Sequence, residues 1–310
     1  RPFLLRRDRL LRADRGLPLF VVEGPAGFGK TVLAELWLER QQSLQATVGW
    51  IGLTREACEP AAFIQQLWRG IGSDTSVLSE RQIGTLAGRR QLFGVIASHF
   101  GESQGPQSLV LDDAHWLADA DAESRAYFRE LLQLASLRKR LCITTAVESA
   151  RLGLNPYAAD GRLSWIGAPQ LAFTRAESDA FVRVCGHDAS ASSLDWIYRM
   201  TEGWPVLTQI ALATPIDPKV TRLDAVPSIS AIRCYIHQRI ISELSVSERD
   251  VLWMLCCLGR APISLLGSLE PGAQAVDDAL RHFRQLRLIQ DFEHGERSMI
   301  GLHPLIRSAA

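Results

Sequence analysis

Residues 21–31 read VVEGPAGFGKT, and no other stretch of the chain limits its fold as tightly. The apolar run LPLFVV at 17–22 leads into them, with β-branched members and flanking glycines, which suits a buried strand. From Lys30 the pattern changes, and Val32, Leu33, Leu36 and Trp37 recur at helical spacing. A glycine-rich loop therefore joins a strand to a helix. Gly24, Gly29, Lys30 and Thr31 satisfy G-x-x-x-x-G-K-[ST]. Glycines let backbone N–H groups converge on phosphate oxygens without interference from Cβ atoms. Lys30 brings a point charge toward β- and γ-phosphates, and Thr31 offers a hydroxyl to Mg²⁺. The helix N-terminus adds a partial positive charge. The whole loop (Gly24, Pro25, Ala26, Gly27, Phe28, Gly29, Lys30 and Thr31) is thus the candidate binding segment for ATP or ADP with Mg²⁺.

SLVLDD at 108–113 supplies the matching half. An apolar strand ending in carboxylates places one of them beside the metal. Asp112 is the metal-side candidate together with Thr31. Asp113 is the catalytic candidate, able to orient or activate water; its alternative is a helix cap or a salt-bridge partner. His115, beside this pair, reads as a local hydrogen-bond partner rather than a catalyst.

Further strands are expected at 46–53, 140–147 and 163–168. Helices are expected from Pro60 with the stripe Phe63, Ile64, Leu67, Trp68 and Ile71, near 88–100, and over 122–136. Residues 73–86 and the stretch GESQGPQ read as loop and turn. Alternating strands and helices imply an α/β domain with a mostly parallel sheet. Beyond about residue 170 the pattern turns helical. Thr174 and Glu177 have the spacing of a capping box. Helices fit SSLDWIYRM and PVLTQIALA, and TPIDPKVTRLDAVP at 214–227 reads as a linker. IRCYIHQRIISEL, SVSERDVLWMLCCLG with Ser247 as its cap, and AVDDALRHFRQL read as three more helices. The segment LIQDFEHGERSMIGLHPLI reads as two strands around the turn EHGE. Three helices and a hairpin outline a winged helix. The expected division is 1–170, 171–225 and 226–310.

Composition removes several classes. Lys and Arg total 34, as do Asp and Glu, so no global basic field points to nucleic acid or a membrane surface. No apolar run approaches a membrane span. The arginine-flanked N-terminus is no signal peptide. The six cysteines show no metal spacing and read as buried thiols of a reducing cytoplasm. The chain lacks an initiator Met and ends inside an apolar-patterned stretch, which suggests a piece of a longer protein. Arg281, Arg284 and Arg287 share helical spacing; a solvated face or a contact to the nucleotide domain is favoured over DNA.

GPAGFGKT, LVLDDAHWL, TEGWP and LHPLIR, in this order, resemble the signal-transducing ATPases of the STAND class. They look most like the large ATP-dependent LuxR-type transcription regulators of the maltose-activator-like group, over essentially the whole chain. That resemblance implies a P-loop domain, a helical lid and a winged helix, with a superhelical sensor and a DNA-binding helix-turn-helix beyond Ala310. It implies that Arg7, in LLRRDRLL, lies beside the nucleotide, unless it is a surface arginine. It implies that Pro205 touches the adenine, unless it only starts a helix. It gives His303 a hydrogen bond to the β-phosphate of ADP, unless it is an ordinary histidine. Where the family often has a γ-phosphate-sensing arginine, this chain has Ala146 after Thr144 and Thr145; Arg151 or another subunit's arginine is the substitute, and hydrolysis is expected to be slow.

The function these features imply is a switch. ADP locks a resting state, and ATP with an inducer, sensed beyond this chain, drives self-association. The alternatives are an AAA+-like motor, a small-molecule kinase, or a STAND ATPase with a non-transcriptional output.

Overall fold

The computed structural model describes residues 5–71, 83–101, 107–136, 139–187, 189–212, 229–269, 272–294 and 297–309. The linker at 214–227, most of the loop at 73–86, most of GESQGPQ and half of the turn EHGE lie outside them. The chain forms two compact units. One comprises Arg6–Gly24 and Lys30–Gly167; the other comprises Leu5, Pro25–Gly29 and the described residues from Ala168 onward.

The first unit is an α/β domain. Its strands are β1 (Leu19–Glu23), β2 (Val48–Gly52), β3 (Ser108–Asp112), β4 (Arg140–Thr145) and β5 (Leu163–Ile166). They form one sheet in the order β2-β3-β4-β1-β5, with every pairing parallel. Parallel sheets are covered on both faces, so their strands read as continuous apolar runs rather than alternations. Leu19 through Val22 are accordingly fully buried. The helices are α1 (Asp8–Leu11), α2 (Lys30–Ser43), α3 (Pro60–Gly70), α4 (Leu86–Gly101), α5 (Ala122–Leu134) and α6 (Asn155–Ala159). α3 starts at its proline and buries Phe63, Ile64, Leu67 and Trp68. α4 begins at Leu86, two residues earlier than the apolar spacing predicts.

In the second unit, α7 (Ala168–Leu171), α8 (Arg175–Val184), α9 (Ala191–Thr201) and α10 (Pro205–Leu212) come first. The Thr174–Glu177 capping box closes with both bonds. Gly203, between α9 and α10, has φ +75° and presses on the Phe173 backbone, whose N–H donates to its carbonyl at 2.7 Å. Next come α11 (Ile229–Arg239), α12 (Val246–Leu258), β6 (Arg260–Pro262), α13 (Ile263–Leu266), α14 (Ala273–Gln285), β7 (Ile289–His294), β8 (Arg297–Leu302) and α15 (Pro304–Ala309). The antiparallel sheet has the order β6-β8-β7.

Four sequence expectations need correction here. Ser245, not Ser247, caps α12, because only Ser245 stands three residues before Glu248 and completes a capping box. β6 joins the expected hairpin; three residues are too few to show a period. Arg287 leaves the helical row of Arg281 and Arg284, because α14 ends at Gln285 and Arg287 has φ +54°. Arg281 pairs with Asp278 and Arg284 with Asp291, so both charges are partnered within the unit. His303 follows the last strand and precedes α15 instead of extending the strand.

Two outcomes follow from this packing. Gly186 also has positive φ but faces open space, whereas a Cβ on Gly203 would lie 2.2 Å from the Phe173 oxygen. Gly186→Ala is expected to lose about 1 kcal/mol through backbone strain, and Gly203→Ala about 2–4 kcal/mol, in urea unfolding. Equal losses would mean that the contact with Phe173 is not tight. The second outcome concerns Glu248, whose Oε1 lies 2.5 Å from His282 Nδ1 and ties α12 to α14. That bond, with the Ser245 N–H, holds the Glu248 carboxyl down to about 2. A depressed folded-state value gives stability that is present above the ordinary glutamate range and lost as pH falls toward 2. Urea midpoints of Glu248→Gln are therefore expected to fall less than those of the wild type between pH 4.5 and about 2.5.

Candidate functional site

All five parallel strands end on one edge of the first unit's sheet, the edge where open α/β sheets carry their ligands. β1 ends there at Glu23 and β3 at Asp112. The strand order puts β4 between them. Thr144, one residue short of the end of β4, thereby falls beside Asp112. Its hydroxyl donates to Asp112 Oδ1 at 2.5 Å and accepts the Asp113 N–H at 2.9 Å. Thr31, in the first turn of α2, donates to the same Asp112 oxygen at 3.2 Å. Gly24 is anchored by its N–H to the Thr145 carbonyl at 3.0 Å.

The charges respond to this enclosure. Asp112 is 7% exposed; burial pushes its carboxyl above the usual range, against the hydroxyls of Thr144 and Thr31 and the Lys30 charge. Lys30 is also buried, which lowers its ammonium, while Asp113 and Asp112 oppose that shift. Asp113 and Asp112 thus supply negative charge beside the buried Lys30, and Lys30 with the two hydroxyls offsets the burial of Asp112. Asp113 adopts a left-handed conformation at φ 60° and ψ 40°. Its carboxylate is half-exposed, and its Oδ1 stands 3.7 Å from His115 Nδ1, beyond hydrogen-bond reach. His115 is held down to about 4, chiefly by burial and then by Lys30, so it is neutral at pH 7.

The oxygens of Thr31 and Asp112 suit a hard divalent cation. Among the described residues no group of three or more His, Cys, Asp or Glu side chains forms a metal cage. One hydroxyl and one carboxylate, completed by water and phosphate, is a Mg²⁺ pattern. Thr31 and Asp112 would hold the ion, which supplies charge neutralisation between phosphate oxygens.

The crown of the loop, Pro25–Gly29, belongs to the second unit. Its outward carbonyls are taken: Trp204 Nε1–H donates to Ala26 O at 3.3 Å, and the Val206 N–H donates to Gly27 O at 3.1 Å. Phe28 is buried against Trp204, with ring centres 4.6 Å apart. In the stretch GWP it is therefore Trp204, rather than the half-buried Pro205 at the start of α10, that engages the loop.

Arg7 is buried at the head of α1, where its carbonyl accepts the Leu10 N–H; it is not a surface arginine. His303 is 2% exposed, and its Nδ1 accepts the Leu305 N–H at 3.1 Å. The ring proton must then sit on Nε2, which has no hydrogen-bond partner and lies 3.6 Å from Glu202 Oε2. Burial, then Arg287, holds His303 down to about 4. Glu202 has positive φ, accepts a hydrogen bond from Gln290, and is raised by burial. Arg151 pairs with Asp119 at 2.8 Å, and both side chains are exposed. Glu23, which the motif reading passed over, accepts the Ser149 N–H and the Trp165 Nε1–H.

Thr144→Val keeps the shape of the side chain and removes the hydroxyl shared by Asp112 and Asp113. Titration calorimetry is expected to show Mg²⁺-dependent nucleotide affinity falling about ten-fold, because a hydrogen bond to a charged group contributes roughly 1.5–3 kcal/mol. Metal-free nucleotide affinity should change less. An unaltered Mg²⁺ dependence would leave Thr144 as a packing residue.

Comparison with known proteins agrees with this geometry. Residues 14–149 match the family described as AAA domain. The chain is similar to the HTH-type transcriptional regulator MalT of Yersinia enterocolitica, at 30% identity over 190 residues, covering 56% of this chain and 20% of that protein. It is similar to MalT of Vibrio cholerae at 23% identity over 284 residues, covering 86% of this chain and 30% of that protein. The chain thus spans less than a third of either regulator. Among solved structures, a Walker-type ATPase of Pyrococcus abyssi superposes with a TM-score of 0.64 at 15% identity, covering 98% of this chain and 95% of that one, a likeness of fold. With the loop, its lysine and the Asp112 cluster in place, residues 14–149 have a parallel-sheet α/β P-loop fold, match the family described as AAA domain, and are similar to part of MalT.

Proposed function

We propose that this chain is a nucleotide-operated switch, the regulatory ATPase part of a larger LuxR-type transcription regulator of the STAND class. The observation that carries this reading is the seizure of the phosphate loop by residues 204 and 206. Because Ala26 O and Gly27 O are hydrogen-bonded to that segment, a change in the loop on nucleotide exchange is felt directly in the helical part. A ligand biases such an equilibrium only through different affinity for the two states, and the loop contacts are where ADP and ATP would differ. In this reading α8–α10 form a lid within 171–225, and 226–310 form a winged helix.

ADP with the loop, Lys30 and Thr31 holds the resting state, and Arg7 and Pro205 flank the nucleotide. His303 Nε2–H, buried and short of an acceptor, finds one in the β-phosphate. ATP with Mg²⁺ at Thr31 and Asp112, plus an inducer, opens the chain to self-association in the cytoplasm. DNA is read by a domain outside this chain. Asp113 orients water for a slow hydrolysis that resets the switch. The slowness follows from Ala146 and from Arg151 being spent on Asp119, which leaves little charge for the transferring phosphoryl group. The same deficit weighs against a motor or a kinase.

The test uses Lys30→Ala and His303→Ala. Lys30→Ala is expected to abolish ADP binding in calorimetry. His303→Ala is expected to bind ADP about ten-fold more weakly and to expose 214–227 to protease even at saturating ADP. Unchanged ADP affinity in both variants, with equal cleavage rates, would sink the switch.

A further inference from the structure

The crown of the loop has a second neighbour. Gly27 has φ +80°, and a Cβ there would lie 2.2 Å from Val206 Cγ1 and 2.5 Å from the hydroxyl oxygen of Tyr235. The position of Val206 is explained by its N–H bond to Gly27 O. The position of Tyr235 is not. It projects from α11 and is half-buried, and its hydroxyl makes no hydrogen bond among the described residues. A phenol brought this close to a glycine loop, with no protein acceptor among the described residues, has a hydroxyl that a ligand can reach and that can donate to it. The loop's carbonyls at 26 and 27 are already engaged by Trp204 and Val206, so neither is left to take the phenol's proton.

We propose that Tyr235 is a nucleotide-contacting residue whose hydroxyl donates a hydrogen bond to a phosphate oxygen of the nucleoside di- or triphosphate held by the loop. This rests on the nucleotide-binding reading above and adds a ligand contact from the helix that follows residues 213–228. Burial keeps the phenol protonated, since it pushes the Tyr235 hydroxyl above its ordinary range against the nearby Arg239 charge. The contact needs Gly27, because any side chain there would stand between the phenol and the loop.

The experiment is titration calorimetry of the full chain with ADP and with Mg²⁺-ATP, for wild type, Tyr235→Phe and Lys30→Ala, alongside melting of each protein without nucleotide. Tyr235→Phe is expected to weaken binding about ten-fold, with an unchanged nucleotide-free melting midpoint. Loss with both ligands assigns the β-phosphate, and loss with ATP alone assigns the γ-phosphate. Unchanged affinity for both ligands overturns the contact, and so does a lowered melting midpoint with unaltered affinity. If wild type and Lys30→Ala bind nucleotide alike, the phosphate-loop reading itself fails, and the Tyr235 contact fails with it. If only Lys30→Ala loses binding, nucleotide binding by the loop stands and Tyr235 is a packing residue.

Discussion

A carboxylate enclosed at the end of a parallel sheet must be hydrogen-bonded, matched by a cation, or protonated. Asp112 is where that constraint falls. The hydroxyls of Thr144 and Thr31 both donate to it, and Lys30 supplies charge from the first turn of α2. Four elements of the first unit are arranged by this one group: β3 carries it, β4 satisfies it, α2 begins against it, and the turn after β3 is pinned because the Asp113 N–H takes the same Thr144 hydroxyl. The left-handed conformation of Asp113 is a cost of roughly 1–2 kcal/mol that the surrounding bonds sustain.

The loop ahead of α2 shows the complementary arrangement. A phosphate cradle works when its N–H groups face inward, which sends its carbonyls outward. In this chain the outward carbonyls of Ala26 and Gly27 meet donors from residues 204 and 206, and Phe28 packs on Trp204. The cradle is thus shaped from outside as well as by its own glycines. Gly27 serves two ends: its positive φ forms the loop, and its missing side chain makes room for Val206 and Tyr235.

Much of the first unit was legible in the sequence. A parallel sheet covered on both faces writes its strands as short apolar runs, and all five appear within a few residues of their expected ends. The loop, Lys30, Thr31 and Asp112 were legible because their chemistry demands residue types at fixed spacing. Ser245 is legible in principle, since S-x-x-E is written in the chain, although Ser247 also stands just ahead of the apolar pattern. β6 carried no readable signal at three residues.

By itself, the sequence determined the five parallel strands and most of the longer helices, and that a phosphate loop and a carboxylate-ended strand are present, because these depend on neighbours a few residues away. Tertiary structure alone decided the partners. Thr144 is 32 residues from Asp112, and they meet only because β4 is inserted between β1 and β3. Trp204 is 178 residues from Ala26, and nothing in its local pattern distinguishes a ring that clamps a loop from one that fills a core. The proton on His303 Nε2 likewise follows from the Leu305 N–H bonding Nδ1, a geometry that no residue order expresses. Spacing along the chain encodes the local backbone; which buried donor meets which acceptor is settled only when the strands have taken their order and the helices have packed.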